Sequence, residues 1–252
     1  DLRAFQRTRY LASKMVISAA GAIHHDSLVR HAEALFGGLN GGDSQDGAVA
    51  QYVGGRRTSR KVFEQSHLLI GFESPSYRDK DFYAAQVFSG LFGGGMSSRL
   101  FQAARENRGL CYAIYSTAWG MADSGMFDIH AATGPEQMGE LIDVIGAELF
   151  NLASSPPTVA EVARAKAQLK AALLTSFESS SARAEQMARQ LLFFDRLLPA
   201  SELVERIEEV TPERIRAVAE RVARSAPPSI AVVGAGRRSS DYAIRAERRL
   251  AS

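Results

Sequence analysis

Gly93-Gly94-Gly95-Met96-Ser97-Ser98-Arg99-Leu100-Phe101-Gln102-Ala103-Ala104-Arg105-Glu106-Asn107-Arg108-Gly109-Leu110-Cys111-Tyr112-Ala113-Ile114-Tyr115-Ser116 reads as a loop, a helix and a strand start in fixed order. Three consecutive glycines end whatever precedes them, and Ser97 or Ser98 offers a hydroxyl to cap a helix running to about Asn107. Gly109 closes that helix as a residue free to turn left-handed, and Tyr112 opens an extended run. Backbone N–H groups in such a loop can cradle an anion. Here, however, no Lys-Ser or Lys-Thr follows the glycines and a helix precedes them where a strand would stand, which argues against a nucleotide site.

On the C-terminal side, residues 112–121 and 125–133 are two extended runs joined by Ala122-Asp123-Ser124, the pattern of an antiparallel hairpin. Gly134-Pro135 then starts a helix to about Ala153, broken by Ser154-Ser155-Pro156-Pro157. Two more helices are expected over residues 158–179 and 182–196. Thr211-Pro212-Glu213-Arg214 has the cap and first-turn proline of another, and residues 229–233 form a last buried strand.

On the N-terminal side, residues 79–92 carry helical periodicity and residues 61–72 an extended run. Residues 40–55 hold five glycines and few large apolar side chains, the composition of an exposed linker. Before it, residues 14–20 read as a strand and residues 27–36 as a helix, too little to fold alone. The expected layout is therefore a partial strand and helix over residues 1–39, a linker over 40–58 and a main domain over 59–252. With strands grouped early, helices late and one returning strand, the class is α+β: a largely antiparallel sheet with helices on one face.

Composition narrows the function classes. Lys+Arg (30) nearly balances Asp+Glu (28), so no overall field recruits nucleic acid or an acidic membrane. Local basic clusters at Arg56, Arg57, Arg60 and Lys61, and at Arg237, Arg238, Arg245, Arg248 and Arg249, read as solvated surface. No run approaches the ~20 apolar residues of a membrane span. The single cysteine, Cys111, excludes an intrachain disulfide and a Cys-rich zinc site, and its apolar neighbours make it a buried thiol. The chain opens on Asp1 rather than Met, so it is expected to continue something larger.

The order Gly-Gly-Gly-x-Ser-Ser-Arg-Leu-Phe followed by Arg-x-x-Arg-Gly-Leu-x-Tyr resembles the second domain of the pitrilysin-like zinc peptidases, the M16 superfamily, in its processing-peptidase branch. The resemblance spans most of the chain: residues 10–36 resemble the end of that family's first domain and residues 60–249 its second. It implies a clamshell of two related halves, the first holding zinc and the second closing over an extended peptide. It also implies that Arg105 and Tyr112 reach the substrate, with Gly93, Gly94, Gly95, Ser97 and Ser98 beside the peptide backbone. Those residue types suit the task. A guanidinium is a rigid fork of donors for peptide carbonyls, and a phenol can donate to the oxyanion formed when water attacks the scissile carbonyl.

One departure from that family limits what this chain does by itself. The zinc motif H-x-x-E-H is absent, and none of the five histidines, His24, His25, His31, His67 and His130, has its spacing. The expectation is thus the substrate-positioning C-terminal half of a zinc endopeptidase, inactive alone, with zinc supplied by the complete enzyme and no metal ligand here. Its partners would be a polypeptide substrate and an N-terminal zinc-bearing half or homologous subunit, in a dimer, with no nucleic acid and no membrane. The expected compartment is the cytoplasm of a bacterial-type cell, or alternatively the mitochondrial matrix. A non-catalytic structural subunit of the same superfamily is the competing reading.

Overall fold

A computed structural model describes residues 1–39, 41–42, 48–224 and 226–250. The chain divides into two compact units, Asp1–Val49 with Ala171–Glu202, and Ala50–Lys170 with Leu203–Ser252.

The first unit is helical. It contains α1 (Leu2–Arg9), α2 (His25–Phe36), the end of α5 (Val159–Ser176) and α6 (Ser180–Phe194). Ser179 caps α6 by accepting a hydrogen bond from the Ala182 N–H at 3.3 Å. The buried Gln190 amide accepts from the Leu198 N–H at 2.8 Å, which fixes the chain just beyond that helix. Residues 14–20 are not the strand expected from their apolar, β-branched character. A 3₁₀ turn covers Ala12–Lys14, Met15 is extended, and no described strand pairs with the run. A strand needs a ladder partner as much as propensity, and this one has none.

The second unit carries a four-stranded sheet in the order β2-β3-β1-β4, with β1 at Gly55–Glu73, β2 at Ala113–Gly120, β3 at Gly125–Thr133 and β4 at Ser229–Ala235. β2 and β3 form the expected hairpin, closing at the pair Gly120 and Gly125, and β3 runs antiparallel to β1 from Ser66 opposite Thr133 to Glu73 opposite Met126. The sheet is thus largely antiparallel, with one further feature. β1 pairs with β4 twice: Gly55 to Thr58 advance alongside Ser229 to Val232, whereas His67 to Gly71 descend from Val233 to Ser229. β4 is inserted between the two halves of one bent strand.

The bend lies between Val62, opposite both Gly234 and Ala235, and His67. Gly234 makes it possible: at φ 98° it occupies left-handed space, and a Cβ there would sit 2.5 Å from the Gln65 carbonyl oxygen.

β1 begins six residues before the expected strand and inside the expected linker. The early half, with Arg56, Arg57, Arg60 and Lys61, has no apolar alternation to betray it. Charged side chains of this kind are how sheet edges avoid pairing with other chains. Asn40 and residues 43–47 of the linker lie outside the described residues.

Helices cover one sheet face: α3 (Phe82–Gly93), α4 (Met138–Ser154), α8 (Pro212–Arg224) and α9 (Ser239–Leu250). α7 (Ala200–Glu208) and α9 had no counterpart in the sequence reading. The core is aromatic. Phe127 stacks among Phe88, Phe92 and Phe72, with ring centroids 4.7, 5.9 and 6.3 Å away, and all four are fully buried. Each such ring contributes about 1.5–3 kcal/mol through burial. Alternation sends Leu68, Ile70, Phe127 and Ile129 into this core while Leu69, Tyr115 and Trp119 face outward, each more than 40% exposed. The sheet therefore has an open face.

Candidate functional site

The glycine-flanked segment is built in three parts. α3 ends at Gly93, which is buried against β2: a Cβ there would lie 2.5 Å from the Ser116 N–H nitrogen and 2.6 Å from its hydroxyl. Packing alone accounts for this glycine, so it does not face the surface. Gly94 and Ser97 are exposed and Gly95 is half-buried, with open space where its Cβ would be. Ser98 is buried, and its hydroxyl has no hydrogen-bond partner among the described residues, so neither serine caps the next helix through its side chain. The Ser98 carbonyl oxygen accepts from the Gln102 N–H instead.

That next helix is wound as a π-helix over Phe101–Glu106, with Asn107 donating to the carbonyl of Gln102 five residues back. Wide turns of this type often mark functional segments. Its start is fixed by Arg99, whose Nε and Nη2 donate to the two Glu161 oxygens at 2.7 and 3.1 Å. Glu161 also accepts from the Thr158 N–H and hydroxyl, both at 2.8 Å, which makes Thr158-x-x-Glu161 a capping box at the start of α5. The hydrogen bond from Arg99 is the largest cause holding the Glu161 carboxyl down at about 2.

Arg105 lies in the last turn of the π-helix, exposed, with its guanidinium carbon 4.8 Å above the Phe101 ring. It makes no ion pair with any described residue. The chain then turns at Gly109, φ 63°, and the Thr133 hydroxyl donates to the Leu110 carbonyl. Tyr112 donates its N–H to the Ala132 carbonyl at 2.9 Å, joining β3, while its side chain is 63% exposed. Arg105 and Tyr112 thus flank one short, doubly pinned turn, both side chains open to solvent, with no hydrogen bond between them. Between them Cys111 is buried, and burial raises its thiol pKa although Arg105 pulls the other way.

His24, His25 and His31 are exposed around the start of α2 and do not converge. Among the described residues no three His, Cys, Asp or Glu side chains form a group able to hold a metal ion, so the donors present do not fit a peptidase zinc.

The open sheet face carries a cluster that the sequence reading did not find. His67 Nδ1 lies 3.4 Å from His130 Nε2, and the His130 ring stacks on Tyr115 at 5.0 Å. Two residues away, Asp128 Oδ1 accepts from the Thr117 hydroxyl at 2.7 Å and from Trp119 Nε1 at 3.2 Å. Alternation within each strand was visible in sequence, but bringing these side chains together needs the register between strands.

Comparison with known proteins agrees with this architecture. Residues 1–169 match the family model described as the peptidase M16 inactive domain. A Streptomyces coelicolor protein described as an uncharacterized zinc protease is 33% identical over 244 residues, covering 92% of this chain and 52% of that protein. Similarly described proteins of Rickettsia felis and Bacillus subtilis are 34% and 31% identical, covering 89% and 88% of this chain and 54% of each relative. The chain therefore spans about half the length of the curated relatives it matches. A chain in the solved structure of complex III2 from Candida albicans with Inz-5 bound superposes with a TM-score of 0.80 at 20% identity, covering 91% of this chain and 57% of that one. The fold is shared with that chain, and by the family match and these relatives the protein belongs to the peptidase M16 family.

Proposed function

We propose that this chain is the C-terminal, substrate-positioning half of a zinc-dependent endopeptidase that hydrolyses extended polypeptides. Metal binding and water activation belong, in this reading, to a preceding half or a homologous subunit; no step is assigned to zinc here, because the ligands present do not suit it. The supporting observation is the pinned turn that presents Arg105 and Tyr112 to solvent. Holding a cation and a phenol out of the core serves no packing purpose, whereas donors fixed before substrate arrives need no reorganisation when charge develops on it. Gly95, with open space where its Cβ would be, and the exposed Ser97 would let a peptide backbone approach the start of the same segment.

The test uses the full-length protein. Arg105→Ala and Tyr112→Phe are each expected to lower peptide turnover by about 10²-fold, with zinc content unchanged by elemental analysis. Unchanged turnover, or loss of zinc, would show that the two side chains do something else.

A structural subunit without hydrolytic activity is the second reading, favoured by the family model's description as an inactive domain and by the fold shared with a chain of complex III2. Metal-dependent cleavage of an unstructured peptide by the full-length protein would exclude it.

A further inference from the structure

His67 on β1 and His130 on β3 stand on neighbouring strands of the open sheet face. Register sets Leu69 opposite His130 and His67 opposite Ala132, so the two rings meet on a diagonal, with His67 Nδ1 3.4 Å from His130 Nε2. That separation is long for a hydrogen bond, whose usual donor–acceptor distance is about 2.9–3.0 Å. It is the separation of two ligands on a tetrahedral ion: Zn–N bonds of about 2.0–2.1 Å at the tetrahedral angle set the nitrogens ~3.3–3.4 Å apart. Neighbouring ligands of a square-planar ion would stand closer, at about 2.8–3.0 Å. The geometry points to a site for one tetrahedral divalent ion of the zinc class, held by His67 Nδ1 and His130 Nε2.

The frame is rigid before any ion arrives. The β1–β3 ladder is unbroken from Ser66 to Glu73, and the Tyr115 ring packs on His130 at 5.0 Å. Little ordering is therefore left for the ion to impose. Burial first, then the neighbouring His67, hold the His130 ring below its usual range against the pull of Asp128. The ring is neutral at pH 7 and has a lone pair to give a metal.

The surrounding charges suit a cation. Asp128 lies two residues along β3 on the same face, about 7 Å away, and attracts one without ligating it. Arg56 and Arg57 are on the first half of β1, with β4 between them and His67, and Arg56 is paired with Glu247 at 3.3 Å. Two strand spacings, about 9–10 Å, exceed the screening length at physiological salt, about 8 Å.

Two protein ligands are fewer than the three of a hydrolytic zinc or the four of a structural one, so two positions are left to water or an incoming group. His130 Nδ1, buried and without a partner among the described residues, also gives the ring no acceptor to hold it from behind. The ion is therefore bound exchangeably.

The chain is titrated calorimetrically with Zn²⁺ in a non-chelating buffer at pH 7.5. The background is His24→Gln/His25→Gln/His31→Gln, which removes the exposed histidines around α2. One Zn²⁺ per chain is expected. Adding His67→Gln or His130→Gln should raise the half-saturating concentration at least about tenfold, because the second imidazole binds as a tethered ligand. In the histidine-ring NMR spectrum of the unaltered chain, Zn²⁺ should move the His67 and His130 signals together; this reading decides the matter if either added variant loses its circular-dichroism melt. Failure of Zn²⁺ to bind, unchanged affinity in both folded variants, or movement of one ring or neither overturns the site. None of these readouts depends on turnover, Arg105 or Tyr112.

Discussion

Replacing Glu161 by Gln tests whether the helix bearing Arg105 is held in place from α5. The carboxylate receives two bonds from Arg99 and two from Thr158, and the Arg99 and Glu161 side chains are 22% and 21% exposed. Its pKa falls from 4.5 to about 2 on folding, with the Arg99 hydrogen bond as the first cause. At face value such a drop corresponds to about 3 kcal/mol; screening by the water that still reaches the pair reduces it to about 1–2 kcal/mol.

The sign follows from the direction of the shift. The folded protein binds this proton less readily than the unfolded chain, so the stabilisation is complete above about pH 4.5 and disappears as pH falls through about 2. At pH 7, Glu161→Gln is therefore expected to lower Tm by about 2–8 °C, given about 2–4 °C per kcal/mol for a domain of this size. Denaturant melts at intervals from pH 7 to pH 2.5 should show the wild-type advantage constant down to about pH 4.5 and shrinking below it. An advantage that is absent at pH 7, or that persists undiminished to pH 2.5, would refute the argument that the Arg99 pairing anchors this helix.

Two further outcomes are expected from the same segment. Gly93→Ala forces a methyl group to within 2.5 Å of the Ser116 nitrogen and should destabilise the chain by about 1–3 kcal/mol in urea unfolding, whereas the same change at Gly95, with open space around it, should cost less than about 1 kcal/mol. Cys111, buried and with a raised thiol pKa, should react slowly with a chromogenic disulfide at pH 8 and rapidly once guanidinium unfolds the protein; fast labelling of the native chain would contradict its burial.

Much of the second unit could be read from sequence because local signals and tertiary packing agree there. The hairpin at residues 121–124, the helix start at Thr211-Pro212 and the break after α4 all follow from turn and cap chemistry. The missed features depend on partners distant in sequence. Residues 14–20 have strand propensity and, among the described residues, no strand to pair with. The first half of β1 is a strand because β4 lies beside it, and its arginines conceal this. Thr158-x-x-Glu161 carried a local signature that went unread, yet its link to Arg99 crosses 62 residues. Around the candidate site, the order of motifs located Arg105 and Tyr112 on one turn. It did not reveal that Gly93 and Ser98 point inward, since glycine and serine serve packing and recognition equally well. Nor could it assemble Asp128 with Trp119, because cross-strand neighbours are set by register.

The threading of β4 through bent β1 has a consequence for how the chain is made. Both flanks of that short ribbon are occupied by a segment synthesised more than 150 residues earlier, as in the pairs Gly55 with Ser229 and Gly71 with Ser229. Until the ribosome has released residue 235, nothing holds the first half of β1 and one margin of its second half is bare. Loop closure over such a span is slow relative to local helix formation, so the helices are expected to exist before the sheet is complete. In that interval the arginines and lysine near the start of β1 act as a guard against association with other nascent chains, a duty separate from any they have once the sheet is closed.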